Sequence, residues 1–179
     1  MGSGGGAGLA AVEVASLLGA RVIAAASSQP KLDAASSRGA TATVDYSSGS
    51  LVDKVRALAP DGIDVIFDPV GGDLFDQALR LPAPNGRLLV VGFASGRIGQ
   101  APANLPLIKG YSIVGVRAGE TMRRDASARE RAARQLTLWT MEGRLRPFVS
   151  QRLPLADAAA ALRLLESRQA IGRIVLIPP

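Results

Sequence analysis

The sequence predicts a single α/β domain, in which a parallel β-sheet carries helices on both faces. Short apolar segments rich in Val, Ile and Leu alternate with segments of helical periodicity along the whole chain. The connections between them are short, and no internal repeat or linker interrupts the 179 residues. Strands and helices that alternate in this way form parallel sheets covered on both sides. A doubly wound, Rossmann-type domain is therefore expected to span residues 1–179.

The apolar segments predict seven strands, at 21–26, 42–46, 63–68, 87–91, 111–116, 148–153 and 173–177. Helical spacing and capping residues predict six helices between them, at 9–18, 31–38, 51–59, 71–79, 125–142 and 155–167. Ser50 is placed to cap the third helix, and Gly39 is placed to end the second. Residues 92–104 have the composition of a loop.

Composition narrows the possible functions. Hydrophobic residues make up 47% of the chain and charged residues 20%, which is typical of soluble globular proteins. Cys and His are both absent, so the chain offers neither thiolate chemistry nor the commonest metal ligand and general base. No apolar run approaches the length of a membrane span, and no secretory leader pattern is present. A cytoplasmic protein is expected.

The net charge of +6 is unevenly distributed, with −2 in residues 1–89 and +8 in residues 90–179. Much of the excess lies between Arg117 and Arg152, in a helical pattern that also contains Asp125 and Glu130. No aromatic residues are interleaved to stack on bases. The pattern favours a solvated helix face over a nucleic-acid site.

The amino-terminal segment 2–8 has five glycines in seven positions and leads directly into the first helix. Glycine lets the backbone approach a ligand closely, and a helix N-terminus presents free N–H groups and a positive dipole end. This arrangement predicts a pyrophosphate site. Its spacing is Gly2-x-x-Gly5-x-x-Gly8, which departs from G-x-G-x-x-G, and composition alone would also fit a disordered glycine-rich leader.

Ligands of doubly wound domains lie beyond the carboxyl ends of the strands. Four such ends carry small or glycine-rich loops, at residues 2–8, 27–28, 70–72 and 92–96. An NAD site usually places Asp or Glu after the second strand, where it binds the ribose 2′-OH. Ser27 and Ser28 occupy that place, followed by Lys31, and these groups suit a 2′-phosphate. The pattern favours NADPH over NADH, although both serines would also serve as helix caps.

Five segments share one family pattern, and their order along the chain is that of the family. They are Gly-Gly-Ala-Gly-Leu-Ala-Ala-Val-Glu (5–13), Leu-Gly-Ala-Arg-Val-Ile (18–23), Phe-Asp-Pro-Val-Gly-Gly (67–72), Gly-Arg-Leu-Leu-Val-Val-Gly-Phe-Ala-Ser-Gly (86–96) and Gly-Arg-Leu-Arg-Pro (143–147). Together they resemble the quinone oxidoreductases of the medium-chain dehydrogenase/reductase superfamily, in the zinc-free, zeta-crystallin-like branch. The resemblance implies an NADPH-dependent reductase of quinones or α,β-unsaturated carbonyls, which acts by hydride transfer.

The resemblance also implies roles for particular residues. Carried over by position, the pyrophosphate would be wrapped by Gly5, Gly6, Ala7 and Gly8. The 2′-phosphate would meet Ser27, Ser28 and Lys31, and the adenosine would pack near Tyr46. The nicotinamide end would lie beside Val91, Gly92 and Phe93. Tyr46 and Phe93 would equally fit plain strand-end aromatics. No catalytic residue and no metal ligand is assigned, and a homodimer is expected through the strand at 111–116.

Two features of the family pattern are not found in residues 1–179. They are the N-terminal GroES-like catalytic domain and the first, central strand of the nucleotide-binding sheet. The expectation is therefore a cofactor-binding domain that lacks its first strand and is inactive by itself. A non-catalytic nucleotide-binding module or redox sensor is one alternative, and the enoyl reductase domain of a polyketide or fatty-acid synthase is another.

Overall fold

The computed structural model describes all 179 residues as eight α-helices and seven β-strands that alternate along most of the chain. The helices are α1 (Gly6–Leu17), α2 (Gln29–Ser36), α3 (Leu51–Leu58), α4 (Gly72–Ala78), α5 (Asn104–Lys109), α6 (Ala118–Arg124), α7 (Ala126–Met141) and α8 (Ala158–Glu166). The strands are β1 (Ile23–Ala26), β2 (Ala42–Asp45), β3 (Ile63–Asp68), β4 (Pro82–Val90), β5 (Ser112–Gly115), β6 (Val149–Pro154) and β7 (Arg173–Ile177). A 3₁₀ turn at Leu155–Asp157 leads into α8.

All of the strand pairs are parallel, which confirms the predicted α/β class. The strands form three groups, β1–β2, β3–β4–β5 and β6–β7. Every predicted strand is present within a few residues of its expected bounds. Within these groups β1 pairs only with β2, and β3 pairs only with β4.

Three local features differ from the prediction. β4 begins at Pro82, five residues before the predicted strand, because the pairing with β3 continues past an irregularity. Asn85 lies within this irregularity at φ 63°, a left-handed conformation that Asn tolerates. The short helices α5 and α6 were not predicted. Neither has a buried residue, so neither leaves a periodic apolar pattern in the sequence.

Contacts divide the chain into two compact units. The glycine-loop unit comprises Gly2–Gly49 and Pro147–Pro179, and the three-strand unit comprises Met1 and Ser50–Arg146. Each unit has buried apolar residues of its own. No helix in the structure combines the length and the apolar character needed to cross a membrane.

The core of the glycine-loop unit lies beneath α1. Leu9 and Val12 of α1 pack with Ala24 of β1 and with Ala34 and Ala35 of α2, and half-buried hydrophobic residues surround them. Leu9 is 2% exposed. Burial of such a side chain stabilises the folded state by about 1.5–3 kcal/mol. The first helix is therefore anchored by its apolar face, which fixes the position of its N-terminus.

The core of the three-strand unit consists of apolar residues from α3, β3, α4 and β4 and from the connection between α4 and β4. These residues are Leu51, Val52, Val55, Ile66, Phe75, Ala78, Leu79, Leu81 and Leu88. The predicted cap of α3 is confirmed, since the Ser50 hydroxyl accepts a hydrogen bond of 3.2 Å from the Asp53 amide. The sheet and its helices fix the carboxyl ends of β3 and β4, where the turn into α4 and the loop at 91–97 begin.

Candidate functional site

The glycine-rich segment forms a loop that ends as the N-terminus of α1. Gly5 is the N-cap residue, and no side chain caps the helix. The Leu9 amide donates to the Gly5 carbonyl at 2.9 Å, while no backbone carbonyl accepts from the amides of Ala7 and Gly8. The Gly6 amide lies beside the Gly172 carbonyl, in the bridge between Gly5 and Gly172. The first turn also lacks acidic residues. The N–H groups of Ala7 and Gly8, at the positive end of the helix dipole, are thus free to bind an anion such as phosphate.

Gly8 and Gly5 differ in the space that surrounds their Cα atoms. A Cβ on Gly8 would overlap the Gly2 carbonyl oxygen and lie 2.8 Å from Ser3 Cα, so the loop packs directly on the first helical turn. A Cβ on Gly5 would meet nothing closer than 4.0 Å. Gly8 is therefore needed for packing, whereas the space beside Gly5 is open. This open cradle fits a phosphate group.

The two serines after β1 are half-buried, and Ser28 is the N-cap residue of α2. Its hydroxyl makes no capping hydrogen bond, although its carbonyl accepts from the amides of Lys31 and Leu32. Tyr46 follows β2 directly, is half-buried, and donates its amide to the Ala26 carbonyl at 3.1 Å. The residues predicted near the adenosine side thus follow the carboxyl ends of β1 and β2.

Lys31 bridges two distant parts of the glycine-loop unit. Its side chain lies against Gly4, where a Cβ would overlap it. Its Nζ donates to the Arg168 carbonyl at 2.7 Å. Arg168 has a φ of 58°, which is uncommon for a residue with a side chain. An ammonium has three donors, so Lys31 can keep this bond and still bind an anion.

The connection between α8 and β7 also contacts the glycine loop, and the sequence did not predict it. The Gly172 amide donates to the Gly4 carbonyl at 2.8 Å, and Gly172 forms an isolated parallel bridge with Gly5. Arg173 lies beside Gly6, since a Cβ on that glycine would be 3.1 Å from Arg173 Cγ. No local pattern links residues so far apart in the chain, which is why they were missed.

Val91, Gly92 and Phe93 lie in the three-strand unit, on the loop that follows β4. The amides of Val91 and Gly92 donate to the Asp68 carbonyl at 2.9 and 3.4 Å. Ala94 and Ser95 donate to the carbonyls of the next two residues after Asp68, at 3.1 and 2.9 Å. The Phe93 side chain is 45% exposed. This loop is thus closely bonded to the turn between β3 and α4.

The Asp68 side chain organises that turn. It is 1% exposed, and its Oδ1 accepts from the amides of Val70 at 2.8 Å and Gly71 at 3.0 Å. Its Oδ2 is buried without a hydrogen-bond partner. The Met1 amino group donates to the Phe67 carbonyl at 2.7 Å. Burial lowers the pKa of this amino group to about 6, against a smaller opposing effect of the Asp68 carboxylate.

Arg97 joins the end of the loop to α4. Its guanidinium contacts the carboxylates of Asp73 and Asp76, each at 2.6 Å, and its carbonyl accepts from the Gly72 amide at 3.0 Å. The hydrogen bonds from Arg97 to Asp76 and then Asp73 raise the pKa of the guanidinium. Sequence reasoning missed this contact, because arginine on a loop has no characteristic spacing from its partners.

The predicted site residues therefore fall into two sets. The glycine-loop unit holds Gly5, Gly6, Ala7, Gly8, Ser27, Ser28, Lys31 and Tyr46, while the three-strand unit holds Val91, Gly92 and Phe93. The first set offers free N–H groups, hydroxyls and an ammonium, which suits a phosphorylated ligand. No cluster of three or more potential metal-ligating side chains is found in the structure.

Comparison with known proteins gives a family match. The family model described as zinc-binding dehydrogenase matches residues 6–134. Quinone oxidoreductase-like protein 2 of Bos taurus is 37% identical over 174 residues, which cover 96% of this chain and 50% of the relative. Quinone oxidoreductase of Pseudomonas aeruginosa is 34% identical over 179 residues, covering 97% and 54%. The chain thus spans about half the length of these curated relatives.

Solved structures give the same result for the fold. A crystal structure of Escherichia coli quinone oxidoreductase complexed with NADPH matches with a TM-score of 0.88 and 26% identity, covering 99% of this chain and 55% of the other. A mycobacterial protein complexed with NADPH matches with a TM-score of 0.87 and 29% identity, covering 98% and 54%. The Rossmann-type fold is confirmed by these matches.

Proposed function

The chain belongs to the zinc-binding dehydrogenase family, and we propose that it is the NADPH-binding domain of an oxidoreductase that reduces quinones or α,β-unsaturated carbonyls. The observation that carries the proposal is the N-terminus of α1, where the amides of Ala7 and Gly8 donate to no backbone carbonyl and the space beside Gly5 is open. Relatives named as quinone oxidoreductases support the substrate class. Solved structures complexed with NADPH support the cofactor.

The chain's own residues would hold the parts of the cofactor as follows. The pyrophosphate would be wrapped by Gly5, Gly6, Ala7 and Gly8, with the amides of Ala7 and Gly8 as donors and the open space beside Gly5 as room for it. The 2′-phosphate would be bound by Ser27, Ser28 and Lys31, and the adenosine by Tyr46. Val91, Gly92 and Phe93 would contact the nicotinamide end. When bound, the nicotinamide supplies the hydride, and the protein supplies binding, orientation and exclusion of water.

The preference for NADPH follows from the groups at the carboxyl end of β1. No carboxylate follows this strand, so nothing there would repel a 2′-phosphate or bind the 2′-OH of NADH. The Ser28 hydroxyl is not used as a cap, and Lys31 uses one of its three donors on the Arg168 carbonyl. Each charge-assisted contact to a phosphate contributes about 1.5–3 kcal/mol. Two such contacts would favour NADPH strongly.

A fluorescence titration of the 179-residue chain with NADPH and with NADH tests the proposal. We expect NADPH to bind at least about tenfold more tightly, since one lost charge-assisted contact corresponds to about that factor. Equal affinities would contradict the NADPH assignment. Failure of both cofactors to bind would contradict the proposed function for this chain.

Zinc independence and a cytoplasmic location are further parts of the proposal. The chain has neither His nor Cys, so it offers no soft or imidazole ligand for zinc.

Dimer formation through β5 is proposed as well. This strand pairs only with β4, so its outer edge has unpaired backbone groups, and Ile113 and Val114 are apolar and half-buried. Edges of this kind pair with a second copy, and a two-fold dimer is the commonest closed result. Light scattering at micromolar concentration should give twice the monomer mass of 18.5 kDa. A monomer mass would contradict the dimer.

A further inference from the structure

We propose that Arg97 is a positioning residue, which holds the loop at 91–97 on α4 and thereby places that loop for contact with the nicotinamide end of NADPH. The inference rests on the proposed function, because it concerns how the chain presents this loop to the cofactor. Arg97 is the last residue of the loop and lies in the three-strand unit. It is assigned no contact with the cofactor itself.

The guanidinium of Arg97 bridges two carboxylates on one face of α4. Its Nη2 donates to Asp73 Oδ1 and to Asp76 Oδ2, each at 2.6 Å. The two aspartates are three positions apart, so their side chains are neighbours on the helix surface. A single arginine side chain therefore ties the end of the loop to the first two turns of α4.

The backbone of Arg97 lies against the turn that precedes α4. Its carbonyl accepts a hydrogen bond of 3.0 Å from the Gly72 amide. Gly71 has a φ of 70°, and a Cβ built on it would lie 2.9 Å from the Arg97 carbonyl oxygen. The side chain and the carbonyl of Arg97 therefore hold the same end of the loop at two points, both at the start of α4.

Phe93 rests on the same glycine as the Arg97 carbonyl. A Cβ on Gly71 would lie 3.1 Å from Phe93 Cδ1 and 3.5 Å from Phe93 Cα. The Phe93 side chain is 45% exposed, so burial alone does not fix its place. The Gly96 amide donates to the Phe93 carbonyl at 2.9 Å, which closes a tight turn just before Arg97. A displacement of Arg97 from α4 would therefore be transmitted to Phe93 through this short turn.

The exposure of the contacts that Arg97 makes sets the size of the expected effect. The side chains of Arg97 and Asp76 are each about half exposed, and that of Asp73 is almost fully exposed. Exposed ion pairs contribute little to global stability, so their loss should leave the domain folded. Two such pairs shift the balance between a held and a released loop by a factor of up to about five. Because a released loop cannot contact the nicotinamide, NADPH affinity falls with the held fraction.

The test compares the affinities of NADPH and of 2′,5′-ADP, which has no nicotinamide, by isothermal titration calorimetry at one salt concentration. Arg97→Gln in the full chain is expected to weaken NADPH about threefold and to change the affinity of 2′,5′-ADP by less than about 1.5-fold. The control Arg56→Gln makes the same change of charge at an exposed arginine of α3 in the same unit, and it should alter neither affinity. Circular dichroism checks that each variant is folded.

A double variant, Asp73→Ala with Asp76→Ala, removes the partners of Arg97 and changes the net charge in the opposite direction. The same selective loss of NADPH affinity is expected from it, and it replaces Arg97→Gln should that variant unfold. Unchanged NADPH affinity in either variant, or an equal loss for both ligands, would overturn the inference and leave the proposed function in place. If the unmodified chain bound neither NADPH nor 2′,5′-ADP, the proposed function and this inference would both fail.

Discussion

The two units hold their loops by different means. In the glycine-loop unit, segment 2–8 is fixed by bonds to distant backbone, such as those between Ser3 and Ala25 and between Gly172 and Gly4. In the three-strand unit, segment 91–97 is fixed by the turn between β3 and α4 and by the side chains of Asp68 and Arg97. The first loop keeps the amides of α1 free, whereas the second uses its amides internally. The negatively charged groups of a ligand are therefore expected to bind in the glycine-loop unit.

The largest expected effect is that of Gly8→Ala. The added methyl group would overlap the backbone of Gly2, which no change of rotamer relieves. We expect the free energy of unfolding, measured by urea denaturation, to fall by about 3 kcal/mol. Gly5→Ala is the matched control, since its Cβ meets nothing closer than 4.0 Å. Equal losses for both variants would show that Gly8 has no special packing role.

Asp68→Ala is expected to loosen the other loop. It would leave the amides of Val70 and Gly71 without their acceptor, at a cost of about 2 kcal/mol. Asp68→Asn retains an oxygen acceptor at the same place and should cost less than half as much. Hydrogen exchange at the Ala94 and Ser95 amides, which bond to this turn, is the measurement. Unchanged exchange in Asp68→Ala would mean that the carboxylate does not hold the loop.

A charge reversal at Lys31 should alter the cofactor preference, and it should affect folding less than Gly8→Ala and Asp68→Ala do. Lys31→Glu places a carboxylate where the 2′-phosphate is proposed to bind, so NADPH affinity should fall by about tenfold or more while NADH affinity is largely kept. Lys31→Met removes the charge without repulsion and should give an intermediate result. Arg152→Glu is the control for net charge. If the preference for NADPH persisted in Lys31→Glu, the ammonium would have no role in it.

Ser50→Ala is expected to have the smallest effect. Loss of the hydroxyl that caps α3 should lower the free energy of unfolding by about 1 kcal/mol. Because Ser50 lies outside the glycine-loop unit, NADPH affinity should not change. Thermal melts and cofactor titrations of the same preparation give both values. A selective loss of NADPH affinity would contradict the assignment of the phosphate site to the other unit.

Much of the fold could be predicted because strands and helices have their own periodicities. β1, β2 and β3 are short apolar runs, and α7 lies within the helix predicted at 125–142, with Asp125 as its N-cap. Helices α5 and α6 could not be predicted, since they bury no residues and have no apolar stripe. The start of β4 was missed because Asn85 and its following glycine have the sequence of a turn.

The candidate site could be predicted only in its local parts. The serines after β1 and the loop after β4 follow strand ends, and the glycine loop leads into α1, so local patterns were enough to place these segments in the fold. The bond from Lys31 to Arg168 and the place of Arg173 beside Gly6 join residues more than a hundred positions apart. Contacts of that kind depend on how the strands are arranged, and single-sequence patterns do not encode them.

Amide NMR shifts on addition of 2′,5′-ADP test the central claim most directly. This compound has the 2′-phosphate and one of the two pyrophosphate phosphates, but no nicotinamide. We expect the amides of Gly6, Ala7 and Gly8 and that of Ser28 to shift, because they lie at the free N-terminus of α1 and after β1. The Ala94 and Ser95 amides, which are already hydrogen-bonded, should remain in place. Shifts confined to Ala94 and Ser95, with no change at Gly6–Gly8, would contradict the account.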